Sequence, residues 1–352
     1  MKKAFRALGL MSGTSLDGLD IADCSFTRKP EGWNFQINRA ETYKYSENWK
    51  SKLAEAQNLN AYSFALLHKE YGEYIGRKVL DFLGGRTAEI DLIASHGHTV
   101  FHQPDKKLTW QIGDPNSIYA ETGIKTISDF RSLDVALGGQ GAPLVPVGDR
   151  LLFAEYDFCL NLGGFSNITY FTNEKTYAFD ASPANLGLNY LMNKMGEEFD
   201  KNGKTGRNGS VNQDLLKKLN LLPYYQLPPP KSLGREWMES EFIPVLEQST
   251  ISDIDKLRTV YEHIAIQIAK TIAFKEKGKL LATGGGAHNS FLMERIQSGT
   301  KHQVIVPDKK IIDYKEALIF ALLGVLRLQN ENNCLSSVTG SSKDNSGGLV
   351  IG

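Results

Sequence analysis

The sequence predicts a two-domain α/β protein, and three observations carry that expectation. A chain of 352 residues, 41% of them hydrophobic, supplies material for two cores. Apolar runs of strand length alternate with helical stretches along the chain. A strand, a turn of small residues and a second strand occur twice, at 7–26 and at 158–171.

Residues 7–11 form the expected first strand, Ser12-Gly13-Thr14-Ser15-Leu16-Asp17-Gly18 the turn, and residues 19–26 the second strand. The turn region offers small hydroxyls and two carboxylates, Asp17 and Asp20. Residues 33–45 read as a further strand pair. Residues 49–83 read as helix from the spacing of Leu66, Leu67, Tyr71, Tyr74 and Ile75 and the Gly84-Gly85 stop. A buried strand at 90–95 leads into His96-Gly97-His98-Thr99 and His102. Three histidines invite a metal site, but no Cys, Asp or Glu stands beside them at ligand spacing, and neutral imidazole is equally suited to a sugar hydroxyl. Strands at 109–112 and 126–131 flank a helix at 116–122, which sets Asp114, Asp129 and Arg131 at one end of a sheet, where α/β proteins collect ligands. Arg131 either clamps a substrate carboxylate or pairs with Asp129 or Asp134; spacing leaves both open. The glycine-rich stretch 135–146 marks the crossing into the second domain.

The second domain opens on the stretch that organises the rest. Residues 158–171 carry Asn161-Leu162-Gly163-Gly164 between two apolar runs, and glycines there let a phosphate approach the backbone. A third run, 176–179, ends on Asp180, followed by Ala181-Ser182-Pro183-Ala184-Asn185 and a helix at 186–195. A carboxylate at a strand end beside such a loop is placed for general-base chemistry. Further on come a polar loop at 200–209, a short helix at 215–222 and a stiff, exposed proline strap at 228–236. The amphipathic helix at 254–275 is core packing, with Leu257, Val260, Ile264, Ile268 and Ile272 on one face. A strand at 279–283 then meets Gly284-Gly285-Gly286-Ala287-His288-Asn289 and a helix at 290–297, a corner that allows a base or ribose to lie on bare backbone. Its spacing fits neither a dinucleotide fingerprint nor a P-loop. A strand at 304–308, a buried helix from 313 and a small polar tail at 336–352 complete the chain; the tail is expected to be ordered if it packs on the first domain.

Lys+Arg 40 against Asp+Glu 40 gives a formal net charge of zero, so nothing directs the protein to nucleic acid or an anionic membrane. No apolar run approaches the roughly 20 residues of a bilayer span, and the first residues lack a leader's apolar core. Three isolated cysteines, Cys24, Cys159 and Cys334, suit a reducing cytoplasm.

Two glycine-turn hairpins, an Asp after the second and a late glycine corner resemble the actin, Hsp70-type chaperone and sugar-kinase fold, whose two α/β domains hold ATP in an interdomain cleft. The divisions expected are 1–131 with 311–352, and 132–310. More narrowly, the 9–20 segment, Ser95-His96-Gly97, Gln111-Ile112-Gly113-Asp114, Asp129-Phe130-Arg131, the 138–144 loop, Asn161 to Gly164 and Gly284 to Asn289 resemble motifs of the anhydro-N-acetylmuramic acid kinase family. The resemblance implies an ATP- and Mg2+-dependent enzyme of cell-wall recycling that opens the anhydro ring with water and phosphorylates O6. It implies Asp180 as the base. Ser12, Gly13, Thr14, Ser15, Asp17, Asn161, Gly163 and Gly164 would line the phosphates, and Gly284, Gly285, Gly286 and Asn289 the adenosine. His96, Asp129, Arg131 and Glu316 would touch the amino sugar, Asp17 and Asp20 would hold the metal through water, and a homodimer is a family-level expectation. Two departures stand out. The family usually has Asp-Thr-Gly-Pro-Gly-Asn where this chain has Asp180-Ala181-Ser182-Pro183-Ala184-Asn185, and His-Gly-Gln-Thr where it has His96-Gly97-His98-Thr99. Serine and alanine in place of glycine would add bulk in the cleft and remove positive-φ freedom. The alternatives are a kinase for another amino sugar, acting by hydroxyl attack, and a non-catalytic nucleotide or sugar sensor.

Overall fold

A computed structural model describes residues 3–13, 15–30, 32–172, 175–229 and 231–352. The chain forms two compact units, Met1–Leu152 with Tyr314–Gly352, and Phe153–Asp313.

In the first unit, β1 (Ala4–Ser12), β2 (Gly18–Lys29) and β3 (Gly32–Lys44) form an antiparallel meander. The first half of β4 (Leu92–Gln103) runs parallel to β1, and its second half pairs antiparallel with β5 (Leu108–Ile112). β6 (Thr126–Ser128) lies parallel to β4. The C-terminal strand Leu349–Ile351 closes the edge antiparallel to β6, so the tail packs back on this unit. The core strands are buried on both faces, and β1 holds Ala7, Leu8 and Leu10 at zero exposure. Helix Lys309–Leu328 lies so close to β1 that a Cβ on Gly9 would fall 1.7 Å from the carbonyl oxygen of Ala317. Only glycine permits that approach.

In the second unit, β7 (Phe158–Leu162), β8 (Phe165–Phe171) and β9 (Thr176–Pro183) repeat the meander. β10 (Lys279–Thr283) is parallel to β7, and β11 (Gln303–Ile305) is parallel to β10. Strand order and direction thus match those of β3-β2-β1-β4-β6. The duplicated order is that of the actin-like ATPase and sugar-kinase fold. Helix Asp253–Ile272, capped by Ser252 and burying Leu257, Val260, Ile264 and Ile268, packs in the core of this unit.

Several expectations shift. The unit boundary follows Leu152 rather than Arg131, because Asp134 is tied to Thr339 and Asn345 of the tail and stays with the first unit. The expected helix at 49–83 is two helices, Glu47–Ala54 and Ala61–Leu83, since the Asn60 side chain accepts from the Ser63 amide and starts the second one. The strand expected through Arg131 ends at Ser128, where Asp129 turns the chain with φ of 55°. The proline strap is not wholly exposed: Leu233 is buried.

Candidate functional site

In the first unit the candidate residues lie at the ends of β1 and β6 and in the middle of β4. The β1–β2 turn holds Leu16 at φ of 60°, with its amide donating to the Gly13 carbonyl at 3.3 Å. A bulky residue in the left-handed region is costly and marks a turn whose shape the surroundings enforce. Thr14 lies outside the described residues. Ser12 was expected to line phosphates, but its hydroxyl points inward. It accepts from Tyr45 Oη at 2.8 Å and lies 3.2 Å from His98 Nδ1, while Tyr45 and Tyr71 share a 2.6 Å hydrogen bond. Burial pushes the His98 pKa down to about 4, so the imidazole is neutral. His98 therefore serves as a neutral hydrogen-bonding group. Ser15 and Asp17 are exposed, and Asp20 accepts from Thr42 Oγ1 at 2.6 Å. Among the described residues, no group of three or more His, Cys, Asp or Glu is arranged to hold a metal ion.

Buried His96 pairs with half-buried Arg131. Nδ1 of His96 lies 2.9 Å from the Gly97 carbonyl and donates to it, which leaves Nε2 to accept from Arg131 Nε at 3.1 Å and Nη2 at 2.9 Å. Arg131 Nη1 donates to the Gly141 carbonyl at 2.6 Å. Neither Asp129 nor Asp134 is among these contacts. Burial, and then the Arg131 charge, hold His96 well below its ordinary pKa. Burial lowers Arg131 to about 10, and Glu316 opposes that shift. Glu316, raised by burial, stands on the helix that Gly9 brings against β1. Asp129, at φ of 55°, accepts from the Ser132 amide at 3.2 Å. His96 and Asp129 share a cavity of about 190 Å³ with Ser128, Ser132, Gln111, Trp110, His68 and Leu349. A fixed cation, a neutral imidazole and a carboxylate in one region offer donors and acceptors to a polyhydroxylated ligand.

In the second unit, Asp180 is held at both oxygens. Asn167 Nδ2 donates to Oδ1 at 3.1 Å, and the Leu233 amide donates to Oδ2 at 2.8 Å. Tyr224 Oη donates to the Asp180 carbonyl at 2.7 Å. Burial raises the Asp180 pKa, and the two neutral donors oppose the rise. The β8–β9 register shifts here, so that Ser166 faces Ser182 while Asn167 faces Asp180, leaving Ala181 as an extra residue.

The turn glycines do more fastening than expected. The Gly163 amide donates to the Phe165 carbonyl, and the Gly163 and Gly164 carbonyls accept from the Ala184, Asn185 and Leu186 amides at 2.9–3.1 Å. The β7–β8 turn thereby holds down the segment after Asp180. Gly284, at φ of 81°, packs against Asn161, where a Cβ would fall 2.5 Å from Oδ1; a Cβ on Gly286 would fall 2.8 Å from Leu162 Cβ. Beside Gly285 and Gly163 the nearest atoms would be 3.8 and 3.7 Å away, so these two positions leave bare backbone a ligand can approach. Asn289 was expected to meet a nucleotide, but both ends of its side chain are occupied. Oδ1 caps the helix through the Leu292 amide, and Nδ2 donates to Tyr261 Oη at 2.7 Å.

The two departures in the Asp180 loop are absorbed internally. Ser182 has no exposure, and its hydroxyl lies 2.9 Å from that of Ser166; Ala184 sits in the core, also at zero exposure, with φ of −125°. Neither position requires a positive φ, and neither side chain projects into open space, which corrects the expectation of added bulk. Sequence reasoning missed Asn167, Tyr224, the Leu233 amide and the Gly141 carbonyl. Asn167 lies in the strand unit expected at 158–171 and is found by counting register from the glycine turn; backbone donors leave no residue-type signal.

The family model described as anhydro-N-acetylmuramic acid kinase matches residues 5–351. A relative from Hydrogenovibrio crunogenus, named anhydro-N-acetylmuramic acid kinase, is 36% identical over 97% of this chain and 97% of its own. One of the same name from Vibrio cholerae is 36% identical with the same coverage of both chains. A solved activator of a 2-hydroxyisocaproyl-CoA dehydratase from Clostridium difficile aligns at 15% identity and a TM-score of 0.45, covering 90% of this chain and 93% of that one, too distant to add to the topology.

Proposed function

Because the chain belongs to the anhydro-N-acetylmuramic acid kinase family, we propose that it opens 1,6-anhydro-N-acetylmuramic acid with water and transfers the γ-phosphoryl group of ATP to O6. The products are N-acetylmuramic acid 6-phosphate and ADP. The observation that carries the reading is Asp180, a half-buried carboxylate whose side-chain donors are both neutral. Without a cationic donor its proton affinity is not suppressed, so it can accept a proton from water. The water oxygen bonds to the anomeric carbon as its proton passes to Asp180. The bond from that carbon to O6 breaks, and O6 takes the phosphoryl group as ADP departs.

In this reading Arg131, His96, Asp129 and Glu316 orient the sugar. The Arg131 guanidinium retains N–H groups beyond those given to His96 and Gly141, and these would meet anionic or carbonyl oxygen. Ser12 contributes through backbone, its hydroxyl being occupied, together with Gly13, Thr14, Ser15 and Asp17. Asn161, Gly163, Gly164 and Gly284 to Gly286 would meet the nucleotide, with open space at Gly163 and Gly285 fitting such a ligand. Asn289 supports that corner as a helix cap. Mg2+ would neutralise charge on the phosphates, and Asp17 and Asp20 would hold its waters. A cytoplasmic location and a homodimer complete the reading. Cys24, Cys159 and Cys334 are buried cysteines, and among the described residues no helix is long and apolar enough to cross a membrane.

The test is turnover of the purified protein with Mg-ATP and the anhydro sugar, with ADP and phosphosugar quantified together. Equal amounts of both are expected, and the phosphosugar should be absent without ATP. ADP release without phosphosugar, or equal turnover of an amino sugar lacking the anhydro bridge, would overturn the assignment.

A further inference from the structure

We propose that Asn167 is a positioning residue that sets the orientation and ionisation of Asp180. The inference rests on the reading of Asp180 as base and adds a role for a residue of the neighbouring strand. Its ground is a row across one face of the second unit's sheet. Asn161 on β7 is the register partner of Asn167 on β8, and Asn167 is the partner of Asp180 on β9. Directly opposed residues of antiparallel strands share a face, so the three side chains stand in line. All three are half-buried, whereas the residues on either side of Asn161, Ser166 and Ile168 beside Asn167, and Phe179 and Ala181 beside Asp180 are buried. One end of the row is the carboxylate; the other is Asn161, whose Oδ1 abuts the Gly284 corner.

The shift that leaves Ala181 unpaired creates the alignment, and the Ser166–Ser182 contact holds it. Ser166 Oγ donates to the Ser182 carbonyl at 3.0 Å, accepts from the Ser182 amide at 3.0 Å and lies 2.9 Å from the Ser182 hydroxyl. With Oδ2 held by the Leu233 amide, the Asn167 donor at Oδ1 fixes the plane of the carboxylate and the direction of its remaining lone pairs. The same donor favours the ionised form against burial. The titratable groups packed nearby are Tyr224, which donates to the Asp180 carbonyl, and Lys231 of the strap. Lys231 accepts from the Asp180 amide through its carbonyl, while its ammonium donates to the Tyr224 carbonyl at 3.2 Å.

The experiment compares Asn167→Ala, the near-isosteric Asn167→Asp and Asp180→Asn in the full chain. It reads kcat, KM for ATP, and the pH profile of kcat/KM, after a thermal melt confirms folding. Asn167→Ala is expected to lower kcat roughly tenfold to a hundredfold, the range for losing a hydrogen bond to a charged group. KM for ATP should change little, and the acidic limb should move to higher pH. Asn167→Asp should move the limb further in the same direction, and it carries the test alone if the alanine variant fails to fold. A purely structural role would not move the limb. An unmoved limb in a folded variant, whatever happens to kcat, overturns this inference. Retention of full turnover by Asp180→Asn would instead overturn the base reading beneath it.

Discussion

Ser182→Gly introduces the glycine that the motif resemblance leads one to expect two positions after the proposed base, Asp180, and the structure makes its outcome asymmetric. The Ser166 hydroxyl keeps its donation to the residue 182 carbonyl and its acceptance from the residue 182 amide, so no buried group is orphaned. What is lost is one neutral hydroxyl contact, about 0.5–1.5 kcal/mol, and glycine's greater freedom in the unfolded chain adds about 0.5–1 kcal/mol. The sum is a destabilisation of about 1–2.5 kcal/mol, with kcat/KM for the anhydro sugar unchanged within about twofold. Trp237 is the one tryptophan between residues 153 and 313 and packs on Tyr224, Tyr225 and Phe242. Its fluorescence during urea unfolding, with Trp33, Trp49 and Trp110 replaced by Phe, reports this unit locally, because a single free energy for a two-unit chain is ill-defined. A rise in kcat/KM above about tenfold, or a changed sugar preference, would refute the reasoning by showing that the Ser182 side chain reaches the substrate.

Two further outcomes are expected. Burial raises the Asp180 pKa above its ordinary value, and the proposed base acts in its ionised form, so kcat/KM should fall as pH drops through a value above about 3.9; a profile flat down to pH 4 would contradict this. Asp134→Ala removes the acceptor of Gly141 N, Cys334 Sγ, Thr339 Oγ1 and Asn345 Nδ2, and should cost the first unit at least about 3 kcal/mol in urea unfolding, followed by the fluorescence of Trp33, Trp49 and Trp110 with Trp237 replaced by Phe. Burial pushes the Asp134 pKa up, but these hydrogen bonds outweigh it and the pKa is depressed. Its contribution is therefore present above the unfolded carboxylate pKa of about 3.9 and lost as pH falls through the folded value; the variant should show a shallower acid limb of stability.

The fold was legible because its signals are local. Glycine turns between apolar runs at 12–18 and 162–165, and the Gly284 corner before a helix, need no tertiary information to be noticed twice in one chain. Asp180 was legible as an acidic residue ending an apolar run. Its donors were not: the Asn167 contact depends on a bulge at Ala181, and a register offset is decided by packing on both faces of the strand. The Leu233 amide was hidden for another reason, since a backbone donor in a proline-rich strap is written in no side chain. Asn289 carries a different signal. An asparagine immediately before a helix is an N-cap signal, and its side chain takes that role here. Ser182 and Ala184 were misplaced because sequence shows a change of residue type but not the face on which it falls.

The central claim is that Asp180 activates water for attack on the anomeric carbon while O6 becomes the phosphoryl acceptor. The most direct measurement is turnover in oxygen-18 water, with Mg-ATP and the anhydro sugar, beside Asp180→Asn, and products read by mass spectrometry. The account predicts one heavy oxygen at the anomeric hydroxyl of the 6-phosphorylated sugar after correction for exchange, none in the phosphoryl group, and loss of product in the variant. Heavy oxygen in the phosphoryl group, or undiminished labelled product from Asp180→Asn, would contradict it.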